Sequence, residues 1–329
     1  MRSAFQRYRS AALFLATAFV AGVFASQPSQ VEPGWDGRTL FEWIELSQGP
    51  SRARVGKAYD MLLEEEPSPT ARQLQAMSAI RSIGTNAIPP LLRNLRTEQF
   101  WDAVAGFEAL GEIAAPAIPE LTALLNSDEQ LVRDKAMIAL GRIGPAASAA
   151  TPALLRELKK DNVNAAIAFG LIRPREPEVI RELIRLFENA KENWNKLQVV
   201  VALGKIGPPA APATAKLIEI ADVAEGAIQA RTEFFQIALL RQRAVEALGK
   251  IGDQRALPML KRMLEAKKHP GNIVNLALRR TLMRALGDFG PAAKEAIPTL
   301  IEISANPNTE PRDQAVATET IIRINARAL

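Results

Sequence analysis

The chain has 329 residues, 48% of them hydrophobic and 5% aromatic; that is enough apolar side chain for an extensive core and too few aromatics for a β-sandwich, which sets aside both wholesale disorder and an all-β fold. It contains no cysteine and a single histidine, His269, which removes disulfides, thiolate nucleophiles, cysteine–histidine zinc sites and haem attachment through CxxCH. The formal net charge of +5 includes Arg2, Arg7 and Arg9 of an N-terminal leader; without them 38 basic side chains face 36 acidic ones, a balance that speaks against nucleic acid as a partner.

The leader comes first in chain order. Its arginines precede AALFLATAFVAGVFA, 15 apolar residues from Ala11 to Ala25, the length of a signal h-region and short of the roughly 20 residues of a membrane span. Val23 and Ala25 supply small residues at the minus-three and minus-one positions, so cleavage is expected after Ala25. Uncleaved, residues 11–25 would be an inner-membrane anchor, the only membrane contact expected. Either way the chain is expected to be exported, to the periplasm or beyond. Ser26–Gly34, SQPSQVEPG, reads as a polar tether, giving a signal segment 1–25, a linker 26–34 and one repeat domain 35–329.

A single phrase then recurs: small residue, large aliphatic, two variable positions, aliphatic, glycine. It stands as AIRSIG at Gly84, ALGEIA at Ala114, ALGRIG at Gly144, ALGKIG at Gly207 and Gly252, and ALGDFG at Gly290, with AFGLIR at Arg173 as a degraded copy. Its second residues are Ile80, Leu110, Leu140, Phe169, Leu203, Leu248 and Leu286, spaced by 30, 30, 29, 34, 45 and 38. The phrase is a helix end: Ala139, Leu140 and Ile143 share one face with Ala136 and Val132, Gly144 closes the last turn, and Pro145 forbids continuation.

A second helix is expected after each cap, where proline precedes an aliphatic pair at Pro89, Pro119, Pro152, Pro258 and Pro298. Proline suits a first turn because the amide it lacks has no intrahelical partner. Each unit therefore reads as a short helix, a turn and a longer helix. Neither helix can hide its apolar stripe alone, so pairs stack into an α-solenoid. About 15 extra residues precede Leu248, where AIQARTEFFQIALLRQRAVEALG suggests an elongated helix.

VRDKAMIALGRIGPAASAATPALL, Val132 to Leu155, resembles the bacterial HEAT repeat, including the subclass found in phycobilin lyases. GRTLFEWIELSQGPSRARVGKAYDMLL, Gly37 to Leu63, is similar to the opening pair of exported HEAT-repeat proteins. The resemblance implies an all-α, right-handed superhelix of about seven to eight repeats, whose longer helices line a concave side that binds proteins.

Four groups of residues invite a functional reading. A basic side chain stands seven residues before four phrase residues, at Arg133, Lys196, Arg241 and Arg279, and Arg312 matches the position locally. This row reads as a structural ladder to acidic neighbours or as a groove for an acidic partner. From Arg231 to Gly290 there are 12 basic and 5 acidic residues, with Arg279, Arg280 and Arg284 on one helical face, so an anionic ligand or an ordinary solvated surface is expected there. Trp101 and Trp194 stand nine residues before their phrase residues, where Leu131 and Leu239 occupy other repeats. Exposed, the indoles would anchor a partner; the leucines argue for a slot at least partly buried. His269, in the turn sequence KKHPGN, and Glu64–Glu66 before Pro67 read as solvated surface.

No nucleophile, base and orienting group can be assembled from these residues, and no cofactor is implied. The sequence thus reads as a non-catalytic scaffold that binds a partner protein; an enzyme built on the same repeats and a binder of an anionic polymer through residues 231–290 are the alternatives.

Overall fold

The computed structural model describes residues 32–48, 69–223, 231–266 and 273–326. The leader, most of the tether, Glu64–Glu66 and His269 lie outside these residues. Two units are distinguished, Met1–Glu32, of which Glu32 alone is described, and Pro33–Leu329.

The second unit opens with a hairpin, β1 (Gly34–Trp35) against β2 (Arg38–Thr39), with Gly34 opposite Thr39. Asp36 and Gly37 form its turn at φ 48 and 75, the doubly positive geometry that Asp-Gly favours and that matches strand twist. Gly34, assigned above to the linker, therefore stands in a strand. Thr39 and Glu42 cap helix α1 (Leu40–Gln48): the Glu42 amide donates to Thr39 Oγ1 at 3.3 Å and the Thr39 amide to Glu42 Oε2 at 2.7 Å. These bonds hold the Glu42 carboxyl below its ordinary pKa.

Helix pairs follow. The phrase-bearing helices are α2 (Ala71–Ile83), α4 (Phe100–Leu110), α6 (Gln130–Ile143), α8 (Val163–Ile172), α10 (Asn193–Ile206), α12 (Arg231–Ile251) and α14 (Ile273–Phe289). Their partners are α3 (Ile88–Asn94), α5 (Ile118–Leu124), α7 (Thr151–Lys159), α9 (Pro177–Asn189), α11 (Thr214–Ala221), α13 (Leu257–Ala266) and α15 (Ile297–Ala305), and α16 (Pro311–Ala326) comes last. This is the all-α HEAT-type stack, and α12 is elongated as expected, with 21 residues.

Phrase helices pack on phrase helices: α6 on α8, α8 on α10, α10 on α12, α12 on α14 and α14 on α16. Each second helix also leans on the phrase helix of the following unit. All seven phrase residues, Ile80 through Leu286, are buried in the continuous core, each contributing roughly 1.5–3 kcal/mol by leaving water. The third phrase position explains how closely the layer is packed. A Cβ added at Gly141, Gly170, Gly204 or Gly249 would stand 2.9, 2.8, 3.0 or 2.7 Å from the Cα of Ala168, Ala202, Ala247 or Ala285. Each glycine thus receives the alanine that opens the next unit's phrase. In α2 the position holds Arg81, whose Nε instead reaches across to the Ala109 carbonyl at 2.8 Å.

The expected order of short helix then long helix is corrected by the structure. Phrase helices are the longer ones, 14 residues against 9 for α6 and α7, except in the unit of Arg173, where α8 has 10 residues and α9 has 13. The residues after the glycine wind into a 3-10 turn, Gly144–Ala150 in that unit, and so are lost to the second helix. The prolines do mark its start, at its first or second residue.

Arg173 shows why the glycine matters. Gly144 sits at φ 82, ψ −147, a region closed to residues with a Cβ. Arg173 takes ordinary left-handed helix geometry, φ 58, ψ 58, its amide donating to the Phe169 carbonyl at 2.8 Å. The chain then leaves without a 3-10 turn, and α9 reaches 13 residues from Pro177. In ALGEIA the alanine at 114 cannot adopt the glycine geometry either, and α4 ends one turn early at Gly111, φ 56, ψ −126.

Candidate functional site

Phrase helices begin where the chain returns from the preceding unit, and the second residue of three of them is a large apolar side chain directed to solvent. Trp101 is 53% exposed, Leu131 63% and Trp194 53%. Leu131 thus lies in no buried slot, contrary to expectation; only Leu239, well inside the elongated α12, is buried at 8%. The difference is one of register: α12 extends beyond its leucine, so the N-terminal end of the helix no longer falls there. The Trp101 ring lies 4.4 Å from that of Phe100. Lys135 of the next unit stands 5.2 Å over the Phe100 ring and donates to the Thr97 carbonyl at 3.2 Å. Trp101 is therefore mounted on a fixed base.

The basic row is a brace between units. Arg133 donates to the Ser127 and Asp128 carbonyls at 2.7 and 3.0 Å and lies 3.5 Å from Glu157 of α7. Lys196 stands 5.7 Å over the Phe187 ring at the end of α9. Arg241, buried, donates to the Ala221 carbonyl that ends α11 at 3.2 Å. Arg241 and Lys196 thus reach back to the close of the preceding second helix, where a cation also meets the negative end of the helix dipole, and Arg133 reaches the turn that follows it. Arg279 reaches forward instead, into a buried ion pair with Asp313 of α16.

Arg280 joins the same carboxylate and pairs with Glu310 at 2.6 Å. Arg284 is half-buried and engaged as well. Of the nominated cations, Arg241, Arg279 and Arg280 thus lie inside the stack, where no partner reaches them, and Arg312 alone of the row is fully at the surface. The positive stretch 231–290 is partly compensated for the same reason: Arg262 pairs with Asp222 at 2.6 Å, Lys261 with Glu295, and Arg279 and Arg280 with Asp313. These acids lie outside the segment over which the charge was summed, Asp222 at the end of α11, Glu295 in the 3-10 turn before α15 and Asp313 in α16.

A polar cleft of about 350 Å³ opens beside Arg133, lined by Asp128, Arg156, Glu157 and Lys160. Glu157 is neutralised there by Arg133 and by Lys160 at 2.7 Å. A second cleft, about 200 Å³, lies between the hairpin and α2. Its Trp35 was not singled out from the sequence, although Asp-Gly between Trp35 and Arg38 is a hairpin signal.

Residues 102–143 match the family model described as HEAT-like repeat, and residues 240–266 the one described as PBS lyase HEAT-like repeat. No curated protein matches the chain. Yeast importin-beta (Kap95p) is similar in structure, with a TM-score of 0.51 and 12% identity over 87% of this chain and 40% of that one. Importin beta crystallised in an ammonium sulfate condition gives 0.47 and 13%, over 87% and 49%. This chain spans about half or less of the length of those proteins, and at such identity the likeness to the yeast protein is one of fold.

Proposed function

We propose that this stack of HEAT-like repeats is an exported scaffold that binds a partner protein and carries no chemistry of its own. One observation supports it above the others: Trp101, Leu131 and Trp194 stand exposed at the same place in three units. Large apolar side chains exposed to water are the usual anchors of an interface, and tryptophan is enriched among such anchors. With most of the basic row turned inward, the edge formed by the starts of the phrase helices is the docking surface we favour over a positively charged groove. The PBS lyase match falls on residues 240–266 alone, one repeat unit, and we read it as a likeness of architecture.

The mature chain, used as bait in an extract of the cells that make it, is expected to retain a protein partner. The double variant Trp101→Ala, Trp194→Ala should lose that partner while keeping its melting midpoint, since both side chains lie at the surface. Equal retention by the variant, or retention of nothing by either, would reject the reading. Export is tested separately, by whether the full chain in intact cells is found beyond the inner membrane.

A further inference from the structure

The N-terminal hairpin adds something the repeats do not need. We infer that the cleft between Trp35 and α2 binds one ring of a neutral saccharide. Trp35 is 50% exposed at the cleft's rim. The hairpin that carries it is held in place: Trp43 Nε1 donates to the Trp35 carbonyl at 2.9 Å, and the Leu40 amide to the Pro33 carbonyl at 2.8 Å. Across the cleft, one face of α2 presents Gln75, Ser78 and Ser82, all exposed, and the turn adds the Asp36 carboxylate. Ser82 Oγ donates to the Ser78 carbonyl at 3.1 Å, which leaves its lone pairs to accept.

The chemistry of the lining selects among ligands. A cationic ligand needs a cage of ring faces, but the Arg38 guanidinium already stands 4.8 Å over the Trp43 ring, and Trp43 is 5% exposed. One free indole face remains, which is not a cage. An anion would meet Asp36, the only formally charged side chain among the described residues of the lining. A purely apolar ligand would strand the amide, the hydroxyls and the carboxylate without partners.

A pyranose satisfies all of these groups. Its C–H face lies on an indole, and its edge hydroxyls both donate and accept, matching an amide that does both and a carboxylate that accepts. The volume of about 200 Å³ is below the ~300–1,000 Å³ of pockets for drug-sized ligands, so the site holds a single ring of a chain that continues into solvent.

Isothermal titration of the full chain with cellohexaose, chitohexaose and maltohexaose tests the assignment, with choline as the cationic control. Saturable, weak binding of at least one oligosaccharide is expected. Trp35→Ala and Gln75→Ala should each weaken it by about tenfold or more, with the melting midpoint unchanged because both side chains are exposed. Absence of heat with every oligosaccharide, or binding that survives Trp35→Ala, would overturn the proposal. Choline binding that depends on Trp35 while the sugars fail would overturn it in favour of a cation site.

Discussion

Gly249 of α12 lies against Ala285 of α14 so closely that a Cβ on the glycine would stand 2.7 Å from the alanine Cα. Gly287, at the same phrase position one unit later, meets nothing nearer than the Arg323 and Thr320 side chains at 3.5 Å. Two helical glycines equivalent in sequence therefore differ in what they allow.

Gly249→Ala should destabilise the stack by about 1–3 kcal/mol, because the new methyl group forces two backbones apart. Gly287→Ala should instead stabilise it by roughly 0.5–1 kcal/mol, the usual gain from removing an interior helical glycine. Urea unfolding of the two variants beside the parent decides the matter. Equal effects of one sign would show that the layer is not packed as described.

Asp313 is fully buried between Arg279 and Arg280. Its removal leaves two guanidiniums desolvated with no carboxylate between them, so Asp313→Ala should cost about 3–5 kcal/mol. Exposed Glu310, which pairs with Arg280, should cost under about 1 kcal/mol when changed to alanine. Thermal melts that rank the two variants in the opposite order would contradict the burial of this pair.

Arg173 holds a left-handed conformation at φ 58, which costs a residue with a Cβ roughly 1–2 kcal/mol. Arg173→Gly should therefore raise stability by up to about 1 kcal/mol. A lower denaturation midpoint would mean that the arginine side chain contributes more than its backbone strain costs.

Acid should expose the contribution of Asp253. The Arg255 guanidinium beside it, aided by the Arg255 amide at 3.0 Å, holds its carboxyl at a pKa of about 2. A carboxyl depressed on folding stabilises the native state above its ordinary pKa of about 3.9. That contribution is lost as pH falls through about 2. Comparison of the parent with Asp253→Asn should show a midpoint difference at neutral pH that narrows from about pH 4 downward. A difference independent of pH would remove the carboxylate from the account.

Much of the stack is legible in the sequence. Ile80, Leu110, Leu140 and their successors recur at intervals too regular to ignore, and the prolines at 89, 119, 152, 258 and 298 mark where second helices start. The cost of a buried polar amide and the restricted φ of proline act within a few residues, so they can be read along the chain. The relative helix lengths are not legible there, because a 3-10 turn leaves no pattern distinct from that of the helix it precedes. The row at Arg133, Lys196, Arg241 and Arg279 was visible as a row, but which groups it meets was not.

The local order of helices, caps and apolar faces was thus determined by the sequence alone, since propensity, proline geometry and side-chain period are properties of neighbouring residues. Only the tertiary structure decided that Arg279 and Arg280 converge on Asp313, some 33 residues away, that Trp101 and Trp194 stand in water, and that Gly249 receives Ala285. Exposure and charge pairing are set by which helices stack and in what register, and that depends on separations the chain crosses in space and not along its length.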